Sequence, residues 1–178
     1  MATTLRYLRL NEQFFVFSRR APYMVLRDTG DDTADAARME RERIVAQLCV
    51  DLIERHGYRL SQLHVRELIP IVSPEGWRYP EIDLLIESKD GNPRLLVKSF
   101  SSDEYKGSLE QGLDELFLLA RAIPSRRTTP LFIIAYTRRR EQRGVREDFV
   151  VINASAYPSK EAWTAAGRPT ESAIPPQA

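Results

Sequence analysis

Apolar positions recur along this chain with two different periods, and each change of period marks an element. Residues 14–17 and 23–26 are short aromatic and branched runs split by Ala21-Pro22, the composition of two strands. A polar break with Gly30 follows. A helix is expected over 33–56, where Val45, Leu48, Leu52 and Ile53 fall at i, i+3, i+7 and i+8 on one stripe. Gly57 stands where a left-handed residue ends such a helix. Residues 62–72 read as a strand and 73–76 as a turn. Residues 82–86 and 95–100 are apolar runs joined by Lys89-Asp90-Gly91-Asn92, turn chemistry that tolerates positive φ and predicts a hairpin. A second helix is expected over 105–122, with Leu109, Leu113, Leu116, Phe117 and Ala120 on one face and Pro124 beyond its end. The unbroken apolar run 131–136 predicts a strand covered on both faces. Residues 149–152 predict another strand and 157–166 a short helix. The small, Pro-rich residues 167–178 predict a disordered tail. This order predicts an α/β fold with a mixed sheet between helices.

Composition narrows the chemistry. The chain has 178 residues, 43% of them hydrophobic and 29% charged, the size and balance of one globular domain. One cysteine, Cys49, excludes a disulfide framework or a Cys-based zinc site within the chain, and Cys49 reads as a small buried hydrophobe. The two histidines, His56 and His64, give no His-rich metal site. No apolar run is long enough to span a bilayer and no leader pattern precedes residue 10, so a cytoplasmic location is expected. Lys plus Arg number 26 against 25 Asp plus Glu, a net +1 that predicts no global attraction to nucleic acid. Charge is nonetheless uneven. Residues 121–146 carry Arg121, Arg126, Arg127, Arg138, Arg139, Arg140, Arg143 and Arg146 with Glu141 as the one acid. Arg126, Arg127, Arg138, Arg139, Arg140 and Arg143 are therefore candidate phosphate contacts, and a solvated hairpin loop is the plainer reading of 138–146. Trp77-Arg78-Tyr79 is expected to pack against the sheet edge, with a binding face as the alternative.

The middle of the chain resembles a known family. Glu40-Arg41-Glu42-Arg43 leads the first helix, which ends Glu54-Arg55-His56-Gly57-Tyr58; Val65-Arg66-Glu67-Leu68 follows, then Pro80-Glu81-Ile82-Asp83, then Asp90-Gly91-Asn92-Pro93-Arg94. Over about residues 36–136 this is similar to the N-terminal nuclease domain of type I restriction enzyme R subunits, within the PD-(D/E)xK restriction-endonuclease-like superfamily. The resemblance implies a restriction-endonuclease-like mixed sheet flanked by helices over 31–157. Residues 1–30 would add an N-terminal β-hairpin, and 158–178 a short helix and tail. It also implies a centre in which an Asp and a Glu-x-Lys hold Mg²⁺ and activate water, Mg²⁺ being a hard cation that takes oxygen ligands.

Carried over position by position, Asp83 matches the family Asp, Glu67 a Glu on the preceding strand, and Glu40 or Glu42 a helix Glu. The family Glu and Lys fall on Lys98 and Phe100, so the motif reads Lys98-Ser99-Phe100. Three readings stay open. In the first the centre is degenerate, Asp83 is a leftover or pairs with Lys98, no cofactor is needed, and the protein is a DNA-associated or complex-forming subunit in defence or mobile-element biology of a bacterium or archaeon. In the second Glu104-Tyr105-Lys106 supplies a relocated set. Asp83, Lys98, Glu104 and Lys106 are then catalytic, with Asp83, Glu67, Glu42 and Glu104 available to Mg²⁺. In the third the chain is an interaction module without nucleic acid. The aromatic N-terminal strands are expected to dock a protein partner or a second copy; no membrane contact is expected.

Overall fold

The computed structural model describes residues 5–10, 13–18, 25–26, 36–123, 129–142 and 144–177. Three strands, β1 (Leu5–Leu10), β2 (Gln13–Ser18) and β3 (Val25–Leu26), pair antiparallel in a small sheet of their own. Helix α1 (Ala36–Glu54) then leads into β4 (Leu63–Leu68), β5 (Ile71–Ser73), β6 (Gly76–Arg78), β7 (Glu81–Glu87) and β8 (Pro93–Ser99). Helix α2 (Tyr105–Ala122), β9 (Phe132–Glu141), β10 (Gly144–Asn153) and α3 (Lys160–Ala165) complete the chain. The central sheet has five strands in the order β10-β9-β8-β7-β4. Every neighbouring pair is antiparallel except β8 with β9, which α2 connects as a crossover. The fold is thus α/β with a mixed sheet flanked by helices.

Side-chain alternation divides the sheet into two apolar faces. Ile44, Val45, Leu48, Cys49 and Leu52 of α1 cover Leu84, Ile86, Leu95 and Val97. Leu113, Leu116, Phe117 and Leu119 of α2 cover Leu96, Ile133 and Ala135 on the other side. β9 contributes to both clusters, so its unbroken apolar run follows from its central place. The turn between β7 and β8 closes with Gly91 N donating to Ser88 O and Ser88 N to Asn92 O, and Gly91 takes φ 71, a region that costs glycine nothing. Cys49 is fully packed, and burial pushes its thiol up to about 12.

Three expectations from the sequence are corrected. The strand expected over 62–72 is split. Arg66 takes φ 57, Pro70 has no N–H to give a ladder, and the chain leaves the sheet at Leu68 to form the two-stranded β5–β6 ribbon. Within the loop expected over 138–146, residues 138–141 and 144–146 are instead regular ladder, with Arg138 opposite Glu147 and Glu141 opposite Gly144. The tail expected to be disordered is docked. Ile174 is buried beside Tyr58 and Phe132, Tyr58 donates to Pro175 O, Arg94 Nη2 donates to Pro176 O, and Gln177 N donates to His56 O. Composition reported only that this segment cannot fold alone; Tyr58 and Arg94, far away in sequence, give it partners.

Candidate functional site

The candidate centre lies where β7 and β8 part. Their register runs Ile86–Leu95, Leu85–Leu96 and Leu84–Val97, and one further step sets Asp83 opposite Lys98 on adjacent strands of one sheet. On the other side β4 pairs Val65 with Leu84 and Glu67 with Ile82, which sets Arg66 opposite Asp83. Beyond Leu84 the β7–β8 ladder stops, and the Asp83 side chain takes over as acceptor. Its Oδ2 accepts from Ser99 N at 2.6 Å and from Ser99 Oγ at 3.0 Å. Burial raises the Asp83 carboxyl above the usual carboxylate range; the two Ser99 bonds and the nearby charges of Lys98 and Arg41 pull the other way without prevailing.

Lys98 does not pair with Asp83, as the degenerate-centre expectation had it. Its ammonium donates to Glu115, which α2 lowers onto the same face of the sheet. Sequence reasoning passed over Glu115. The available signal was its place between Leu113 and Leu116, at the margin of the buried helical stripe, where a carboxylate needs a cation. Arg66, in its left-handed conformation, donates to Glu81 Oε1 at 2.9 Å and stands 3.8 Å from Glu42 Oε1. The bond to Glu81 raises the guanidinium pKa further.

Two other candidate carboxylates are engaged elsewhere. Glu104, at the start of α2, accepts from Ser101 Oγ at 2.8 Å. Glu40 Oε1 accepts from Ser102 N at 3.2 Å and Ser102 Oγ at 3.0 Å, tying α1 to the first turn of α2. Glu67 is half-buried and Lys106 exposed. Among the described residues no group of three or more His, Cys, Asp or Glu is placed to hold a metal ion. Phe100, where the resemblance expects a lysine, is core: it is buried beneath α2 and meets Tyr105 edge-on at 5.9 Å between ring centres. Mg²⁺ asks for near-octahedral oxygen. The residues facing it here are one carboxylate half-consumed by Ser99, a lysine where the partner strand would supply the second acid, and Glu115, whose carboxylate that lysine already takes. This donor set does not fit the ion.

Three arginines of the cluster are paired within the fold. Arg138 Nη1 lies 2.5 Å from Asp51 Oδ2 and 3.1 Å from Glu147 Oε1, and Tyr136 OH donates to the same Glu147 oxygen at 3.1 Å. Arg139 pairs with Glu141 at 3.0 Å and Arg146 with Asp148 at 3.1 Å. Arg126, Arg127 and Arg143 lie outside the described residues, as does the side chain of Arg140. Trp77 and Tyr79 do not pack on the sheet edge as expected; they are 65% and 59% exposed.

No protein-family model matches the chain, and no curated protein matches it either. Among the described residues, no helix is long and apolar enough to cross a membrane.

Proposed function

We propose that this chain has a restriction-endonuclease-like fold with a degenerate centre, and that it acts by association, as a DNA-associated or complex-forming subunit in the cytoplasm. The order of one helix, three antiparallel strands, a crossover helix and a parallel strand supports the fold reading. The aromatic N-terminal strands are an added element outside that core. One observation carries the functional reading: the two groups that face each other at the centre are already satisfied, Asp83 by Ser99 and Lys98 by Glu115. A carboxylate with an obligatory backbone donor terminates a ladder, and a lysine with a resident carboxylate closes the space between sheet and helix. Neither needs a substrate to be stable.

The experiment is a cleavage assay of purified protein on duplex DNA with Mg²⁺ or Mn²⁺, beside calorimetric titration of either metal. The degenerate reading expects no cleavage and no metal heat. A second reading has one observation in its favour: Glu115 brings a carboxylate from α2 to Lys98, so a relocated set would be Asp83, Lys98 and Glu115 rather than Glu104 and Lys106. Metal-dependent cleavage abolished by Asp83→Ala and by Glu115→Gln, but retained in Glu104→Gln, would establish that reading and end the first.

A further inference from the structure

The β5–β6 ribbon exposes an apolar face that no described residue covers. Val72 is 75% exposed and Trp77 65%, and the register pairs them, so they share one side of the ribbon. Tyr79, two residues past Trp77, is 59% exposed, and Leu68, at the ribbon's base, is 55% exposed. The opposite side holds Ile71, which is buried with Ile69 against α2 and anchors the ribbon. Two aromatic side chains of roughly 150–250 Å² each, more than half exposed, with two aliphatics beside them, make a patch of roughly 300–600 Å². That is the size of the largest apolar patch on an ordinary monomer, which is often functional.

We infer that this ribbon is a self-association surface on which a second copy of the chain packs its own Val72–Trp77 face about a two-fold axis. The inference rests on the complex-forming part of the function proposed above and names the partner. Charge is the first reason. In a two-fold contact each residue meets its own kind or a reciprocal neighbour, so an uncompensated charge on the patch would oppose the contact. Here the bordering charges are matched within the chain, Arg78 with Glu75 and Arg66 with Glu81. The chain as a whole carries +1, so two copies do not repel at long range. The same pairing argues against nucleic acid, because the ribbon offers phosphate no unmatched arginine. Area is the second reason. Two such patches together cover roughly 600–1,200 Å², a range that spans the ~1,000 Å² at which specific interfaces begin. Trp and Tyr, two residue types that dominate interface energetics, stand here at 77 and 79.

The chain has two tryptophans, and Trp163 is buried, so Trp163→Phe leaves Trp77 as the only tryptophan, excited selectively at the red edge of the absorption band. Sedimentation velocity on the unmodified chain across the micromolar range is the primary readout, and it does not depend on that variant folding normally. Expected are a monomer–dimer equilibrium and a shift of Trp77 emission to shorter wavelength as dimer forms. Trp77→Glu should raise the dimer dissociation constant ~30-fold or more, and Trp77→Phe should largely preserve it. A monomer at all concentrations overturns the inference, as does a dimer indifferent to Trp77→Glu. Trp77 emission that moves only on adding a single-stranded oligonucleotide overturns it in favour of nucleic acid. The cleavage assay is independent of these results, so loss of the dimer leaves the degenerate-centre reading standing.

Discussion

Arg138→Ala tests whether the arginine run serves the fold or a ligand. Arg138 and Asp51 have side chains only 14% and 11% exposed, and the guanidinium also reaches Glu147 at 3.1 Å. Removing it strands a buried carboxylate on α1 and loosens β9 from β10. Breaking a fully buried pair costs ~3–5 kcal/mol, and losing one charge-assisted hydrogen bond ~1.5–3. Arg55, already 3.5 Å from Asp51 Oδ1 and 64% exposed, offers the stranded carboxylate partial cover. The expected loss is therefore about 3 kcal/mol, below the fully buried limit. Urea unfolding followed by circular dichroism measures it. Asp51→Ala with Arg138→Ala should cost less than the two single changes summed, by at least ~1 kcal/mol, because the pair is one unit. Arg139→Ala, which removes only an exposed pair with Glu141, should cost within ~0.5 kcal/mol. A loss below ~1 kcal/mol at Arg138, combined with weakened DNA binding, would refute the structural assignment and return Arg138 to the phosphate-contact role.

Asp83→Asn keeps an acceptor for Ser99 and deletes the charge. Burial raises the folded-state pKa above its unfolded value, so Asp83 favours the fold while protonated, and this contribution is lost as pH rises through the folded pKa. The variant should therefore match wild type in acid and melt higher near neutral pH; a wild type that gains on the variant as pH rises contradicts the linkage. Gly112→Ala places a methyl 2.3 Å from Phe100 Cζ, and overpacking of this kind costs ~1–3 kcal/mol by denaturant unfolding, part of which Phe100→Leu should recover. Ile174→Ala removes the tail's buried anchor and should cost about 2 kcal/mol, the low end for an aliphatic truncation, because the tail can lift rather than leave a cavity. Limited proteolysis should then cut within 167–177 before global unfolding; unchanged resistance would mean that the carbonyl contacts alone hold the tail.

Local pattern was enough to place α2, whose five apolar positions at helical spacing match the buried stripe over Leu113, Leu116 and Phe117. It was also enough for the β7–β8 hairpin, because Asp90-Gly91 between two apolar runs favours a tight turn with Gly91 left-handed, and for the central place of β9, because an unbroken apolar run suits a strand covered on both faces. Asp83 opposite Lys98 follows from that turn by counting. What the chain could not announce were partners separated by long stretches of sequence. Lys98 finds Glu115 rather than Asp83 because α2 returns over the sheet and a lysine reaches across layers more easily than along a ladder whose end Asp83 already caps. Arg138 looks like a surface cation in a basic run until α1 brings Asp51 to it across 87 residues. Trp77 looks like core by type, yet the ribbon turns Ile71 inward, and strand alternation leaves Trp77 facing solvent. Side-chain period is written locally, whereas the cover that each face receives depends on which distant element packs there.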